Sequence, residues 1–217
     1  MSKGLPNGNI GKIDLAVTPA DPHRLYALIE ADQGEGGVYI SYNEGSQFKA
    51  MSHRKELVNR PFYYCNIYAH PNNADIIYSN ANRFMISKDA GETWKIKSTP
   101  HGDNHDIWIN PENDNIWIQS NDGGGNVTFN SGKTWTTQFY QPTAEIYQVE
   151  VDNQYPYWLY GGQQDNYSTV SVPSLPPYPI QAGPNAWILS TGGCETGPAV
   201  PKPSNSNICL LYTTPSP

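Results

Sequence analysis

The sequence predicts an all-β fold: a β-propeller of four-stranded antiparallel blades, incomplete at about four blades plus a stub. Two observations predict it. The first is a recurring motif. Ser87-Lys88-Asp89-Ala90-Gly91-Glu92-Thr93-Trp94 is a full Ser-x-Asp-x-Gly-x-Thr-Trp, an Asp-box. Thr128-Phe129-Asn130-Ser131-Gly132-Lys133-Thr134-Trp135 replaces Asp with Asn, and Ser41-Tyr42-Asn43-Glu44-Gly45-Ser46-Gln47-Phe48 is a degraded copy. The copies start 46 and 41 residues apart, and a period of about 40–50 residues built from short strands marks propeller blades. The second is composition. With 19 Gly, 19 Pro and only 15% charged residues in 217, the chain is turn-rich β, not helical or disordered.

Each repeat has the same internal order. In the first, residues 13–19 alternate and stop at Pro19, which has no N–H to donate to a ladder. Residues 24–29 form the second strand, and a Gly-rich loop leads to a third at 37–40. The motif turn then leads to the fourth. The second repeat runs 63–71, 76–79, 83–86 and 93–97, and the third 105–111, 115–119, 126–129 and 134–139. Ile107-Trp108-Ile109 and Ile116-Trp117-Ile118 are apolar throughout, as in strands buried on both faces. The fourth repeat has strands at 147–151, 157–160 and 169–172. A Pro-rich insertion, 173–184, replaces its motif, and 187–190 is its outer strand.

The blades are thus expected over about 9–52, 62–98, 103–140 and 144–190, with a stub at 195–208. Closed propellers have about four to eight full blades, so the chain reads as a fragment, with first and last blades exposing apolar surface. Residues 209–217 resemble, at all but one position, the translation of a sequencing-library adapter. They are expected to be a non-native tail outside the fold.

The motif has a mechanical basis. An Asp or Asn side chain accepts from nearby backbone N–H groups, Gly two residues on supplies a positive φ, and the Trp packs between blades. It reads as a structural staple.

Composition also excludes functions. Thirteen basic against 20 acidic residues give a net charge of −7 without a Lys/Arg cluster in the sequence, which argues against nucleic acid and anionic membranes as partners. No run of eighteen apolar residues exists, so no membrane insertion is expected. No signal peptide is visible. The three cysteines, Cys65, Cys194 and Cys209, have no metal spacing, and Cys65 reads as a small core residue. No phosphate-binding Gly-rich loop and no Gly-x-Ser-x-Gly elbow occurs, and no cofactor is implied.

The Asp-boxes resemble BNR/sortilin-type propellers. Residues 5–207 resemble an internal stretch of large secreted bacterial proteins named as glycosyl hydrolases with a sortilin (Vps10)-like propeller. The phrases that carry this are Arg60-Pro61-Phe62-Tyr63-Tyr64, Thr99-Pro100-His101-Gly102-Asp103-Asn104-His105-Asp106-Ile107, Asn121-Asp122-Gly123-Gly124, Gly162-Gln163-Gln164-Asp165-Asn166 and Gly192-Gly193-Cys194-Glu195-Thr196-Gly197. The last departs from the family's Gly-Gly-Gly-Glu-Ser-Gly. The resemblance implies an extracellular, periplasmic or cell-envelope protein that acts on or binds glycans. The alternative it implies is a non-catalytic propeller that binds peptides or proteins.

Blade order places the last four of these phrases on one face, opposite the Asp-box turns. The candidate acids are Asp103, Asp106, Asp122, Asp165 and Glu195, and the candidate ligand-binding residues are His101, His105, Asn121, Gln163, Gln164 and Asn166. Glycoside cleavage needs two carboxyls about 5–10 Å apart, one protonated and one ionised, and crowding separates their pKa values. The structural alternative is that the acids hold loop N–H groups along the rim. Strand alternation puts Asp103 and His105 on one side and Asp106 on the other. No metal site is assigned.

Overall fold

The computed structural model describes residues 3–138, 141, 145–164, 168–175, 188–191 and 197–211. The chain divides into two compact units, 1–140 and 141–217. In the first unit, β1 (Ile10–Thr18), β2 (Asp21–Ala31), β3 (Gly37–Ser41) and β4 (Lys49–Ser52) form one antiparallel meander. The strands β5 (Asn66–Ala69), β6 (Ile77–Asn80), β7 (Phe84–Ser87) and β8 (Lys95–Ile96) form a second. A third sheet has β9 (Asn104–Ile109), β10 (Trp117–Asn121) and β11 (Gly124–Thr128). Consecutive strands pair in order, each sheet a propeller-type blade.

Alternation decides what lies between the sheets. Tyr26, Leu28, Val38 and Ile40 of the first sheet bury against Ile67, Ile77 and Met85 of the second, with Cys65 among them. Burial raises the Cys65 thiol pKa to about 11, as for an inert core cysteine. A short 3-10 turn at Lys55–Val58, which the sequence did not signal, inserts Leu57 into this core. On the far side of the second sheet, Tyr78 and Phe84 pack against Ile107, Ile109 and Trp117 of the third. Inner strands are also tied edge to edge: Ile67 N donates to Asp14 Oδ2 at 2.7 Å, and Thr18 Oγ1 to the His70 carbonyl at 2.6 Å. The opposite face of β1 leaves Ile13, Leu15 and Val17 exposed.

The three motif turns share one hydrogen-bond pattern. In the second sheet Ser87 Oγ donates to Asp89 Oδ1 at 2.7 Å and accepts from Gly91 N at 2.9 Å, while Thr93 N donates to Asp89 Oδ1 at 2.8 Å. Thr128, Gly132, Thr134 and Asn130 repeat this in the third, as do Ser41, Gly45, Gln47 and Asn43 in the first. The degraded copy keeps its geometry because the network needs only one hydroxyl, one side-chain carbonyl and backbone N–H groups. Residues Glu44, Ala90 and Ser131 all take φ between 54° and 58°. Trp94 is buried, whereas Trp135 is half-buried, its Nε1 donating to Ser98 O at 3.2 Å.

Since Asn130 and Asn43 do what Asp89 does, Asp89→Asn should change stability by less than about 0.5 kcal/mol. Asp89→Ala should cost about 1–2 kcal/mol by orphaning Thr93 N and the Ser87 hydroxyl. Urea unfolding of the two variants checks this.

The fourth strand expected at 134–139 is not formed over the described residues 134–138. Thr136 N donates to Val127 O at 2.9 Å, but Asn126 Nδ2 takes the Thr136 carbonyl and Thr136 Oγ1 accepts from Val127 N, both at 2.9 Å. Side chains thus replace the ladder.

In the second unit, β12 (Glu150–Val151), β13 (Trp158–Gln163), β14 (Ser168–Pro173) and β15 (Ile188–Thr191) form a four-stranded antiparallel sheet. Residues 176–187, most of the Pro-rich insertion, lie outside the described residues. A hairpin of β16 (Ala199–Lys202) and β17 (Asn205–Leu211) follows. Its pairing reaches Cys209, Leu210 and Leu211, opposite Pro201, Val200 and Ala199. The expectation that 209–217 stands wholly outside the fold is therefore corrected for 209–211, where an apolar run extends the strand register.

Candidate functional site

At the end of the strands opposite the motif turns, three loops of the first unit meet. The first, before β5, turns on Arg60, whose φ is 58°. The amides of Tyr63 and Tyr64 both donate to Arg60 O at 3.0 Å. This turn delays the strand to Asn66, where the sequence suggested a start at Tyr63. It leaves Phe62 85% and Tyr63 60% exposed, while Tyr64 is buried.

The second loop leads into β9. Asp103 adopts φ 51° and its N–H donates to Asn82 O at 3.0 Å, while Asn104 N donates to Ala81 O at 2.8 Å. This anchors the loop to the neighbouring β6–β7 turn, while the third loop is the β10–β11 turn, which carries Asp122. The Asp103 carboxylate accepts from Tyr64 Oη and from Asn82 Nδ2, with Arg60 at 3.6 Å. Burial would raise its pKa. The bonds from Tyr64 and Asn82, with the charges of Arg60 and His101, outweigh that and hold the carboxyl below its usual range.

His105 Nε2 donates to Asp122 Oδ1 at 2.5 Å, and both side chains are about one-third exposed. The Tyr64 ring stands 4.7 Å from the His105 ring and 5.3 Å from that of Tyr63. Asn66 Nδ2 fixes the His105 carbonyl at 2.7 Å, and Asp122 N donates to Asp103 O at 3.2 Å. A run Tyr63–Tyr64–His105–Asp122 thus lies along the rim, with Asp103 bonded to Tyr64 and Arg60 beside Asp103. His101 packs against Gly123 beside it.

Of the residues expected to converge, Asp103, His105 and Asp122 are brought together. Asp106 is not: it lies on the opposite face of β9 from Ile107 and Ile109, and its Oδ1 accepts from Ile107 N at 2.8 Å. Asn121 was expected to bind ligand, but its amide is buried and full. Oδ1 accepts from Gly123 N and Gln138 Nε2, and Nδ2 donates to Gln119 and Asn126. Asn121 therefore belongs to a buried amide network that stiffens the rim. Gln163 and Gln164 belong to the second unit, where Gln163 pairs with Ser168 and Gln164 N donates to Glu145 O at 3.1 Å. Asp165, Asn166 and Glu195 lie outside the described residues.

Sequence reasoning missed Arg60, Phe62, Tyr63 and Tyr64 as site residues. Their signal was three consecutive aromatics after Arg-Pro in a position that opens a blade. Among the described residues, no three His, Cys, Asp or Glu side chains gather as a metal centre.

No known family pattern matches the chain, and no curated protein matches its sequence. Among solved structures, YCF48 from Cyanidioschyzon merolae matches at TM-score 0.40 and 16% identity, over 81% of this chain and 55% of that one. An ancestral GH74 enzyme matches at TM-score 0.45 and 13% identity, over 95% of this chain and 29% of that one. YCF48 bound to a D1 peptide matches at TM-score 0.45 and 13% identity, over 95% and 69%. The chain thus spans just over half the length of the first and under a third of the second. The sortilin-type family remains a resemblance in sequence phrases, and any functional reading rests on the rim itself.

Proposed function

We propose that this chain is a glycan-binding part of a propeller protein of the cell exterior or envelope, with the rim of Phe62, Tyr63, His105 and Asp122 as its contact surface. The observation that carries the reading is the exposure of two rings, Phe62 and Tyr63, on a loop whose Tyr63 packs on Tyr64 and, through it, reaches the His105–Asp122 hydrogen bond. Large rings exposed on a pinned loop do not serve the core. They offer apolar faces to the C–H side of a sugar, while Asp122 offers its second carboxylate oxygen to hydroxyl donors.

Binding is favoured over cleavage among these residues. A glycosidase acid must hold a proton at working pH, which calls for a raised pKa. Asp103 is shifted the other way and is occupied by Tyr64 and Asn82. It positions Tyr64 and through it His105. A second reading, recognition of a peptide's terminal carboxylate, is favoured by Arg60, whose side chain is half-exposed and 3.6 Å from Asp103.

Calorimetric titration with a panel of neutral oligosaccharides tests the proposal. Tyr63→Ala and Asp122→Asn should each weaken binding at least about tenfold, which corresponds to about 1.4 kcal/mol, with an unchanged melting temperature. Unchanged affinity in both variants would overturn the rim as the contact surface. Binding only of peptides with a free C-terminus, lost in Arg60→Gln, would replace glycan with peptide.

A further inference from the structure

At the other end of the first unit, between the second and third sheets, a cleft of about 680 Å³ opens beside the motif turns. Lys88 comes from the turn itself, and Lys95 and Lys97 from β8 and the residue after it. Lys133, in the next blade's turn, is close enough for its charge to act on Lys97. Four of the chain's nine lysines therefore gather here, although the protein carries a net charge of −7.

None of the four ammonium groups has a carboxylate within 4.0 Å among the described residues. The two acids in the cleft wall are already engaged. Asp89 holds Ser87 and Thr93, and Asp114 accepts from Asn72 Nδ2 at 2.6 Å and faces His70 at 3.7 Å. Lys97 is half-buried, with its ammonium 6.0 Å from the centre of the Trp117 ring. Burial lowers its pKa, and the charges of Lys88 and Lys133 lower it further. Like charges held together without partners repel, and an oxyanion between them removes that repulsion.

From this cluster we infer that the cleft is a second binding site, for an oligosaccharide bearing sulfate or carboxylate groups. A cleft of this volume takes an organic ligand rather than one small ion. The apolar lining supports this, since Ile76, Ile86 and Trp117 line the cleft together with the lysines. The choice of a saccharide chain rests on the glycan reading above, whereas the preference for oxyanions does not.

The test compares a sulfated dextran oligosaccharide, its unsulfated parent and inorganic sulfate, by calorimetry and by NMR of the lysine side chains. The sulfated ligand should bind more tightly than its parent and shift Lys95 and Lys97 signals. The double variant Lys88→Gln/Lys95→Gln, both at exposed positions, should lose at least about tenfold in affinity for it, and raising salt should weaken the wild type. Asp122→Asn should leave this binding unchanged. Equal affinity for both dextrans, or full affinity in the double variant, would overturn the site. Equal shifts with inorganic sulfate, or equal binding of a single-stranded oligonucleotide, would overturn the saccharide assignment. If the lysine variants lose the sulfated ligand while Tyr63→Ala and Asp122→Asn leave the binding of neutral oligosaccharides unchanged, the rim reading fails and the cleft stands.

Discussion

Gly37→Ala should lower stability by about 3–4 kcal/mol, among the largest effects of any single substitution in the first unit. Gly37 opens β3 with φ 151°, a conformation that L side chains rarely adopt. A Cβ built there would lie 2.0 Å from Ser52 O, 2.9 Å from Ser52 C and 3.0 Å from His53 Cα. All three are backbone atoms, so no side chain can turn away to make room. Relief requires parting β3 from β4, where Val38 pairs with Ser52. Val38 and Ile40 also anchor the core between the first and second sheets. Urea unfolding should show a lower midpoint. A midpoint within about 0.3 M of the wild type, which at a typical slope is under about 1 kcal/mol, would contradict this packing.

Asp152→Ala should cost the second unit about 2–4 kcal/mol. The Asp152 carboxylate is buried after β12 and accepts from four donors. Trp158 N lies at 2.9 Å, Gln154 N at 3.2 Å and Tyr160 Oη at 2.8 Å, and Gln154 Nε2 is the fourth. Truncation leaves Tyr160 Oη buried and Trp158 N part-buried without this acceptor. Burial would raise the carboxyl pKa, but the bonds from Gln154, Trp158 and Tyr160 together hold it well below the ordinary 3.8. The sign follows: the unfolded chain takes up this proton at higher pH than the folded one. The carboxylate's contribution is fully present above about pH 5 and is lost as pH falls below about 4 toward the folded value. Asp152→Asn should flatten that acid limb. Fluorescence of Trp158 during acid titration reads it.

The motif spacing made three turns legible in the sequence, and even Asn43 in the degraded copy reproduces the bonds of Asp89. The strand-ending residues Thr18, His70, Asn110 and Asp152 also recur, each accepting from the amide two residues on. In the sequence, a proline follows each of the first three, at positions 19, 71 and 111, but not Asp152. The rim was legible in part. Blade order put Asp103, His105 and Asp122 at one end of the strands, since the loops entering an inner strand and those joining second to third strands share that end.

What joins His105 to Asp122 was not legible. The β9–β10 pairing shifts register between Ser120 and Asn121, so that Asn121 faces Asn104. No residue type in the sequence marks that shift. Nor did the sequence show that Asn121 would be consumed by Gln119, Asn126 and Gln138, because an amide that binds ligand and one that satisfies a neighbour are the same residue. The lysine cleft was invisible for another reason: Lys88, Lys95 and Lys97 belong to one blade, but only its packing against the next brings Lys133 near Lys97 and forms the cleft wall of Asp114, Trp117 and Ser131.

The central claim is that ligand contact occurs at the rim formed by the loops around Arg60, Asp103 and Asp122. Backbone amide NMR during titration with the best-binding neutral oligosaccharide tests it most directly. The account predicts shifts concentrated at residues 60–64, 101–106 and 121–124, with little change at the motif turns 87–94 and 128–135. Shifts confined to the motif turns, or absent from all three rim loops at saturating ligand, would contradict it.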